Sequence, residues 1–250
     1  MSSVQASDLV TILLLIALEG LLSADNALVI AVMVLGLPKH LHRKALHYGL
    51  IGAFAFRIVA TLLAVYLIQL AWVKLAGGAY LLYLSYSHFW SEKSPEERRA
   101  PRPATAWLGM NPFWATVVRV ELVNLAFSID SILVAVAVSP KLWVVLTGGI
   151  LGIVAMRLVV GQLLVLIERY PALVDGAFVI IAWVGVKLAL EYLFAAGYIQ
   201  FEIPKWLSLG LIVVIFVIAF IYARQAEHAE PAADHASDEA ARALLAEEEK

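Results

Sequence analysis

The sequence predicts an all-α membrane protein with seven transmembrane helices, arranged as two inverted three-helix repeats followed by a seventh helix. Composition, the spacing of apolar stretches and a repeated acidic motif predict this class. Of the 250 residues, 62% are hydrophobic and 15% are charged, against about 45–50% and about 25% in a soluble domain. Polar residues are therefore too few to cover a soluble core. This excludes a water-soluble monomer, a disordered chain and a nucleic-acid binder with a basic face.

Seven apolar stretches are long enough to cross a bilayer, which takes ~20 mostly apolar residues each. They cover residues 9–37, 46–69, 72–90, 113–138, 141–167, 176–197 and 205–222. Five prolines lie at or between the ends of these stretches, where a missing N–H is tolerated: Pro38, Pro112, Pro140, Pro171 and Pro204. We therefore expect the lipid bilayer to be the environment of most of the chain.

The lysines and arginines near the predicted span ends set the orientation. Nine lie on one side, in the loops 38–45, 91–112 and 168–175 and at the start of the tail, and three lie on the other. The positive-inside rule then places the N-terminus outside and the C-terminal tail in the cytoplasm. The tail, residues 223–250, has eight acids and three bases, so its net charge is −5. The whole chain has a net charge of −2, so the part before the tail carries +3.

A repeated acidic motif divides the chain into two halves. The segment LEGLLSADNALVIAV (18–32) parallels VNLAFSIDSILVAVAV (123–138), and this alignment pairs Asp25 with Asp130. Each copy of the motif opens a repeat of three spans, and a chain that crosses the membrane three times ends on the opposite side. The second copy therefore enters the membrane from the opposite side, as in transporters built from inverted repeats.

Two further parallels extend the repeat. GAFAFR (52–57) matches GIVAMR (152–157), and GAYLLY (78–83) matches GVKLAL (185–190) more weakly. We predict a first three-helix repeat in 1–90, a cytoplasmic linker in 91–112, a second repeat in 113–197, a seventh helix in 198–222 and an acidic tail in 223–250.

Eight of the charged residues inside predicted spans are candidates for intramembrane charges, each of which costs ~2.5–3.5 kcal/mol at the centre. Five are acidic and three are basic: Glu19, Asp25, Glu121, Asp130, Glu191, Arg57, Arg157 and Lys187. Charges in this environment need partners. The candidates are one another, protons or a bound cation.

Helix geometry leaves the arrangement of the acids open. One polar helix face in each repeat comprises Glu19, Ser23 and Asn26, and Glu121, Asn124, Ser128 and Ser131. In one interpretation each helix unwinds near Ser-x-Asp, so that carboxylates and freed carbonyls converge on one ion. In another, the polar faces bind the ion while Asp25 and Asp130 pair with Arg57 and Arg157. In a third, the acids are merely paired and bind nothing.

The donor types in these motifs favour a hard divalent cation. Carboxylate, amide and hydroxyl oxygens suit Mg²⁺, Mn²⁺ or Ca²⁺. The chain has no cysteine, which excludes disulfides and thiolate metal sites. Four carboxylates can neutralise a divalent ion and still exchange protons, so cation/proton antiport is a hypothesis. The metal would be transported cargo, and we expect no resident cofactor.

The motifs LEGLLSADNALVIAV and ELVNLAFSIDSILVAVAVS resemble the paired signatures of the TerC family of integral membrane proteins, in particular its shorter bacterial branch. The resemblance covers roughly residues 8–222. It implies a metal-ion transporter of the bacterial inner membrane, with manganese export the best-supported role. It also implies a functional centre formed by Glu19, Asp25, Asn26, Glu121, Asn124, Asp130 and Ser131. Ser131 departs from the amide at the matching position, and the acidic tail lies outside the pattern.

Two other function classes compete with a transporter. One is a membrane partner protein that supports metal loading or resistance to tellurite and metal stress without conducting ions. The other is an intramembrane hydrolase with Asp25 and Asp130 as its catalytic pair, but its Gly-x-Gly-Asp sequence is absent before Asp130. We expect no enzyme and no nucleic-acid partner, and the sequence leaves open whether chains form a homo-oligomer.

Overall fold

The structure of the protein is a computed structural model that describes residues 5–67, 72–91, 94, 103–201 and 203–225. Most of the predicted linker and nearly all of the predicted tail lie outside the described residues. The described helices are α1 (Ala6–Leu22), α2 (Ala24–Leu35), α3 (Lys39–Leu62), α4 (Ala64–Leu67), α5 (Trp72–Phe89), α6 (Pro112–Val138), α7 (Leu142–Arg169), α8 (Leu173–Ala195) and α9 (Lys205–Gln225). No strand occurs within these ranges, in agreement with the predicted all-α class.

Within the described residues, five helices are long and apolar enough to cross a membrane, and α1 with α2 forms a sixth candidate if the bent pair is one span. The five are α3, α6, α7, α8 and α9. Helix α5 occupies the place of the third predicted span, but it is not among the candidates. The seven-span arrangement therefore stays a prediction.

The first acidic motif interrupts its helix. Helix α1 ends at Leu22 and α2 begins at Ala24, with Ser23 between them at φ −110° and ψ 9°. The two axes differ by 55°. The corresponding helix of the second half, α6, runs without interruption from Pro112 to Val138. A break near Ser-x-Asp is therefore present in the first half, where Ser23 keeps its backbone hydrogen bonds to Glu19 and Ala27, and absent from the second.

The predicted cationic loop 38–45 is helical from its second residue. Pro38 stands at the N-cap of α3 with ψ 142°, and the helix begins at Lys39. Proline has no N–H to lose at a helix start, so it stabilises this boundary. The basic residues that follow extend the helix beyond its apolar part, because lysine and arginine are good helix formers.

The most extensive helix contacts connect the two halves of the chain. They pair α5 with α8, α1 with α7, and α3 with α6. At the crossing of α5 and α8, a Cβ atom on Gly78 would lie 2.7 Å from the carbonyl oxygen of Gly185. The reciprocal distance, from a Cβ on Gly185 to the carbonyl oxygen of Gly78, is 3.0 Å. Only glycine allows backbones to approach this closely.

The main core lies around α2 and α8, and apolar side chains also cover the outside. Ile30, Ile180 and Ile181 are fully buried at its centre. In contrast, Leu158 is 69% exposed and Trp206 is 75% exposed. Apolar side chains on both the inner and the outer faces are typical of helices surrounded by lipid.

Candidate functional site

Glu19, at the end of α1, lies in a buried polar unit with residues from α3 and α6. Its Oε2 accepts a hydrogen bond from Arg57 NH2 at 2.8 Å. Arg57 NH1 donates to Ser131 Oγ at 3.0 Å, and Ser23 Oγ donates to Glu19 Oε1 at 3.3 Å. Arg57 is only 2% exposed. The unit fixes Glu19 as an ion-paired carboxylate where α1, α3 and α6 meet.

A second glutamate–arginine pair lies in the other half of the chain. Arg157 NH2, from α7, donates to Glu121 Oε1, from α6, at 3.3 Å. Both pairs join the two acidic motifs to the arginines of the GAFAFR and GIVAMR segments. Among the described residues, Arg157 Nε and NH1 are buried without a hydrogen-bond partner.

Glycines make the room for both arginines. A Cβ on Gly149 would lie 2.5 Å from Arg57 Nε. A Cβ on Gly49 would lie 2.9 Å from Arg157 NH2. Each arginine therefore lies against a glycine on a helix of the opposite half, and a Cβ there would displace its guanidinium group. Each of these glycines lies eight residues before the arginine of its own helix. The two helices therefore make equivalent contacts, each receiving the arginine of the other half.

The two aspartates pair with lysines instead. Lys187 Nζ, on α8, donates to Asp25 Oδ2, on α2, at 2.8 Å. Lys74 Nζ, on α5, donates to Asp130 Oδ1, on α6, at 2.6 Å. Lys74 also donates to Glu191 Oε2 at 3.1 Å. Each aspartate is thus held by a lysine from the opposite half.

Glu191 joins the two lysine–aspartate pairs into one network. Its Oε1 lies 3.9 Å from Lys187 Nζ, one helical turn away on α8. Beside the network is a cavity of about 30 Å³, enough for one or two water molecules. The carboxylates of Asp25, Asp130 and Glu191 all line it. The structure therefore brings acidic residues of both halves to one small cavity, which Lys187, Lys205 and several apolar side chains also line.

The amide of Asn26 lies next to this network in the sequence but has its own contacts. Its Nδ2 donates to Asn124 Oδ1 at 2.8 Å and lies 3.7 Å from Met156 Sδ. Asn26 is 2% exposed, and its Oδ1 has no hydrogen-bond partner among the described residues. An unpaired buried oxygen is costly, and it is an acceptor suited to a hard cation.

Comparison with known protein families identifies the family of the chain. Residues 4–229 match the family described as the integral membrane protein TerC family. The chain belongs to the TerC family. With at least five apolar helices in its described part, it is a multi-pass membrane protein.

Relatives within the TerC family cover most of the chain. It is 44% identical to the uncharacterized membrane protein YceF of Bacillus subtilis (strain 168) over 209 residues, 83% of this chain and 79% of that protein. It is 42% identical to the uncharacterized membrane protein YkoY of the same organism over 201 residues, 72% of this chain and 59% of that protein.

A more distant relative is Alx of Escherichia coli (strain K12), 26% identical over 230 residues, which are 82% of this chain and 69% of that protein. Its name proposes a role as a membrane-bound redox modulator. No solved structure matches the chain.

Of the residues expected at the TerC functional centre, all seven lie in or beside these contacts, but they do not form one ligand shell. Within the described ranges, no group of three or more His, Cys, Asp or Glu side chains is close enough to hold a metal ion. The interpretation in which the aspartates pair with Arg57 and Arg157 is wrong, because these arginines contact Glu19 and Glu121 and the aspartates contact lysines.

Lys74 is the site residue that sequence reasoning missed. Its position near the start of the predicted span 72–90 places it among the three basic residues of the outer side. In the structure it is 7% exposed and contacts two carboxylates. The available signal was the surplus of intramembrane acids over bases. With Lys74 included, five acids face four bases.

Proposed function

We propose that this TerC-family protein exports a divalent metal cation, with Mn²⁺ as the best candidate, through a site between the two halves of the chain. The observation that carries the proposal is the meeting of Asp25, Asp130 and Glu191 at one cavity. Buried acids at membrane depth are expensive and mark ion pathways. The three come from α2, α6 and α8, so a movement between the halves would change their spacing.

The donor set supports a hard cation. Of the seven residues expected as ligands, Asp25 and Asp130 line the cavity. The other five lie in neighbouring polar contacts: Glu19, Asn26, Glu121, Asn124 and Ser131. All offer oxygen atoms, as Mn²⁺, Mg²⁺ and Ca²⁺ prefer. The unpartnered Oδ1 of Asn26 adds a neutral ligand. A soft ligand lies close by only in the thioether of Met156.

Contacts between matching positions support the inverted-repeat arrangement. The repeat aligns Gly78 with Gly185, and these glycines contact each other. It aligns Arg57 with Arg157, and each lies against a glycine of the other half. Matching contacts of this kind are what a two-fold axis in the membrane plane produces. The seven spans, the domain boundaries, the outward N-terminus and the inner-membrane location complete this proposal.

Transport would then proceed by exchange of charge partners. An entering cation binds the cavity carboxylates, and rocking of one repeat against the other opens the site to the opposite side. Counter-transport of protons would return the acids to a state without metal. Protons are the coupling ion that we propose.

Proteoliposomes test the proposal directly. Vesicles containing only the purified protein should take up Mn²⁺ faster than Mg²⁺, Ca²⁺ or Zn²⁺, and an internal pH dye should report an opposing proton flux. Replacing Asp25→Ala or Asp130→Ala should abolish uptake, while Glu168→Gln, which alters an ion pair outside the network, should leave it unchanged. If wild-type vesicles take up none of the four cations, the protein is not a transporter of this class.

A further inference from the structure

The network beside the cavity contains two basic groups that a divalent-cation site does not need. Lys74 and Lys187 place their ammonium groups on Asp130, Glu191 and Asp25 at distances of 2.6, 3.1 and 2.8 Å. These are the distances of strong charge-assisted hydrogen bonds. The lysines therefore occupy carboxylate oxygens that would otherwise be free to bind a cation.

The exchange of two lysines for one divalent cation leaves the charge balance of the carboxylates unchanged. Three carboxylates and two ammonium groups leave the network at −1. One divalent cation carries the same charge as two ammonium groups. When it takes their place, the carboxylates experience the same total positive charge, so the buried acids are never left without partners.

The four basic residues of the membrane interior differ in how firmly they are held. Arg57 donates to Glu19 and to Ser131, and both Arg57 and Arg157 lie against glycines. A guanidinium is rigid and planar, whereas a lysine carries a point charge on a flexible four-carbon stem. The Arg57 pair is thus fixed, and the flexible stems of the two lysines are the ones that can carry a charge away from its carboxylate.

The cavity beside the lysines is the place where a cation would meet the acids. Asp25, Asp130 and Glu191 all line it, and so does Lys187, whose ammonium group pairs with Asp25. A cation in this cavity would therefore compete with the lysines for the same carboxylates.

We propose that Lys74 and Lys187 are built-in counter-cations that the transported ion displaces, and that Glu191 is a third carboxylate ligand of that ion. This rests on the proposed transport function. The two lysines hold the carboxylates in a metal-free arrangement, which explains why no ready-made metal cluster is present in the described part of the chain. The ion and the lysines compete for the same oxygens.

Binding of Mn²⁺ to the purified full-length protein tests the competition. Lys74→Met and Lys187→Met keep the length of the side chain and remove its charge, so each should bind Mn²⁺ about tenfold more tightly than wild type, a change of about 1.4 kcal/mol. Glu191→Gln should bind about tenfold more weakly. Lys141→Met is the matched control, because Lys141 pairs with Asp8 at 2.7 Å, away from the cavity, and its affinity should equal that of wild type.

A chemical rescue keeps the test usable if a methionine variant folds poorly. The chain has no cysteine, so Lys74→Cys provides a unique thiol, and bromoethylamine converts it to a side chain with a lysine-like ammonium. The unmodified variant should bind Mn²⁺ tightly, and the aminoethylated form should return to wild-type affinity. Methylated thiol, which is neutral, should remain tight.

The outcomes separate this inference from the proposed function. Wild-type vesicles without cation uptake would overturn the transport function. Uptake by wild type, together with unchanged Mn²⁺ affinity in Lys74→Met, Lys187→Met and Glu191→Gln, would overturn the displacement alone and leave the transporter in place. Unchanged affinity with a lowered melting temperature would assign the lysines a purely structural role.

Discussion

Gly78 and Gly185, which occupy matching positions of the two repeats, pack backbone to backbone where α5 crosses α8. A Cβ on Gly78 would lie 2.7 Å from the carbonyl oxygen of Gly185, closer than real Cβ atoms come to another atom. The helices also meet toward one end, where His88 Nε2 lies 2.9 Å from Asp175 Oδ1. The crossing therefore fixes the helix pair that carries Lys74 and Glu191.

Replacing Gly78→Ala should destabilise the protein by about 1–3 kcal/mol, the usual cost of overpacking. The obstacle is backbone, which cannot move aside as the end of a flexible side chain can. Thermal unfolding in detergent measures the effect. Gly161→Ala is the control, since a Cβ there meets nothing within 4 Å, and it should be neutral or slightly stabilising. Equal melting temperatures of the two variants would contradict the close crossing.

The Glu19–Arg57 pair should be sensitive to single changes and tolerant of paired ones. Arg57→Met leaves Glu19 charged and buried without its partner, which costs about 3–5 kcal/mol. Glu19→Gln with Arg57→Met removes both charges and should recover more than half of that loss. A double-mutant cycle on thermal stability measures the coupling. Additive effects would show that the 2.8 Å contact contributes little.

The sequence predicted the class of fold and the residue types of the site, but not their pairing. Hydropathy located the apolar helices because burial in lipid requires long apolar stretches. Which carboxylate meets which base depends on helix crossings, and these follow from Gly49 and Gly149, against which the arginines lie where they reach the glutamates. Periodicity along one helix carries no information on such contacts.

Lys74 shows the same limit at a span end. A lysine close to a helix terminus usually extends its ammonium to the membrane surface. Here α5 begins at Trp72, and the side chain turns inward because Asp25, Asp130 and Glu191 outnumber Lys187, the other lysine of the network. The position of Lys74 in the sequence, taken alone, favoured an ammonium group at the outer membrane surface. The excess of buried acids was the better predictor, since buried charge must be compensated.

The amide of Asn26 should be required for transport even though it has no charge. Asn26→Leu preserves the size of the side chain and removes the free Oδ1, so Mn²⁺ uptake per inserted protein should fall at least about tenfold, as expected for a lost ligand worth about 1.4 kcal/mol. Asn26→Asp supplies an oxygen at the same place and should retain part of the activity. The control is Ser85→Ala, a buried residue whose hydroxyl donates to the carbonyl of Phe178 at 3.1 Å and which does not line the cavity. Full uptake by Asn26→Leu would remove this residue from the site.

An odd number of spans places the two ends of the chain on opposite sides of the membrane, and cysteine labelling can measure this. The natural chain has no cysteine, so Gln5→Cys and Gln225→Cys each carry a single thiol at the described ends. With the N-terminus outside, as the nine-to-three distribution of basic residues indicates, a membrane-impermeant maleimide added to intact cells should label only position 5. Permeabilised cells, in which both positions are accessible, control for reactivity.

Labelling of both thiols in intact cells would require an even number of spans, and labelling of position 225 alone would reverse the orientation. Either result would redirect the transport assay, because the side that holds the acidic tail decides whether uptake into vesicles corresponds to export from the cell.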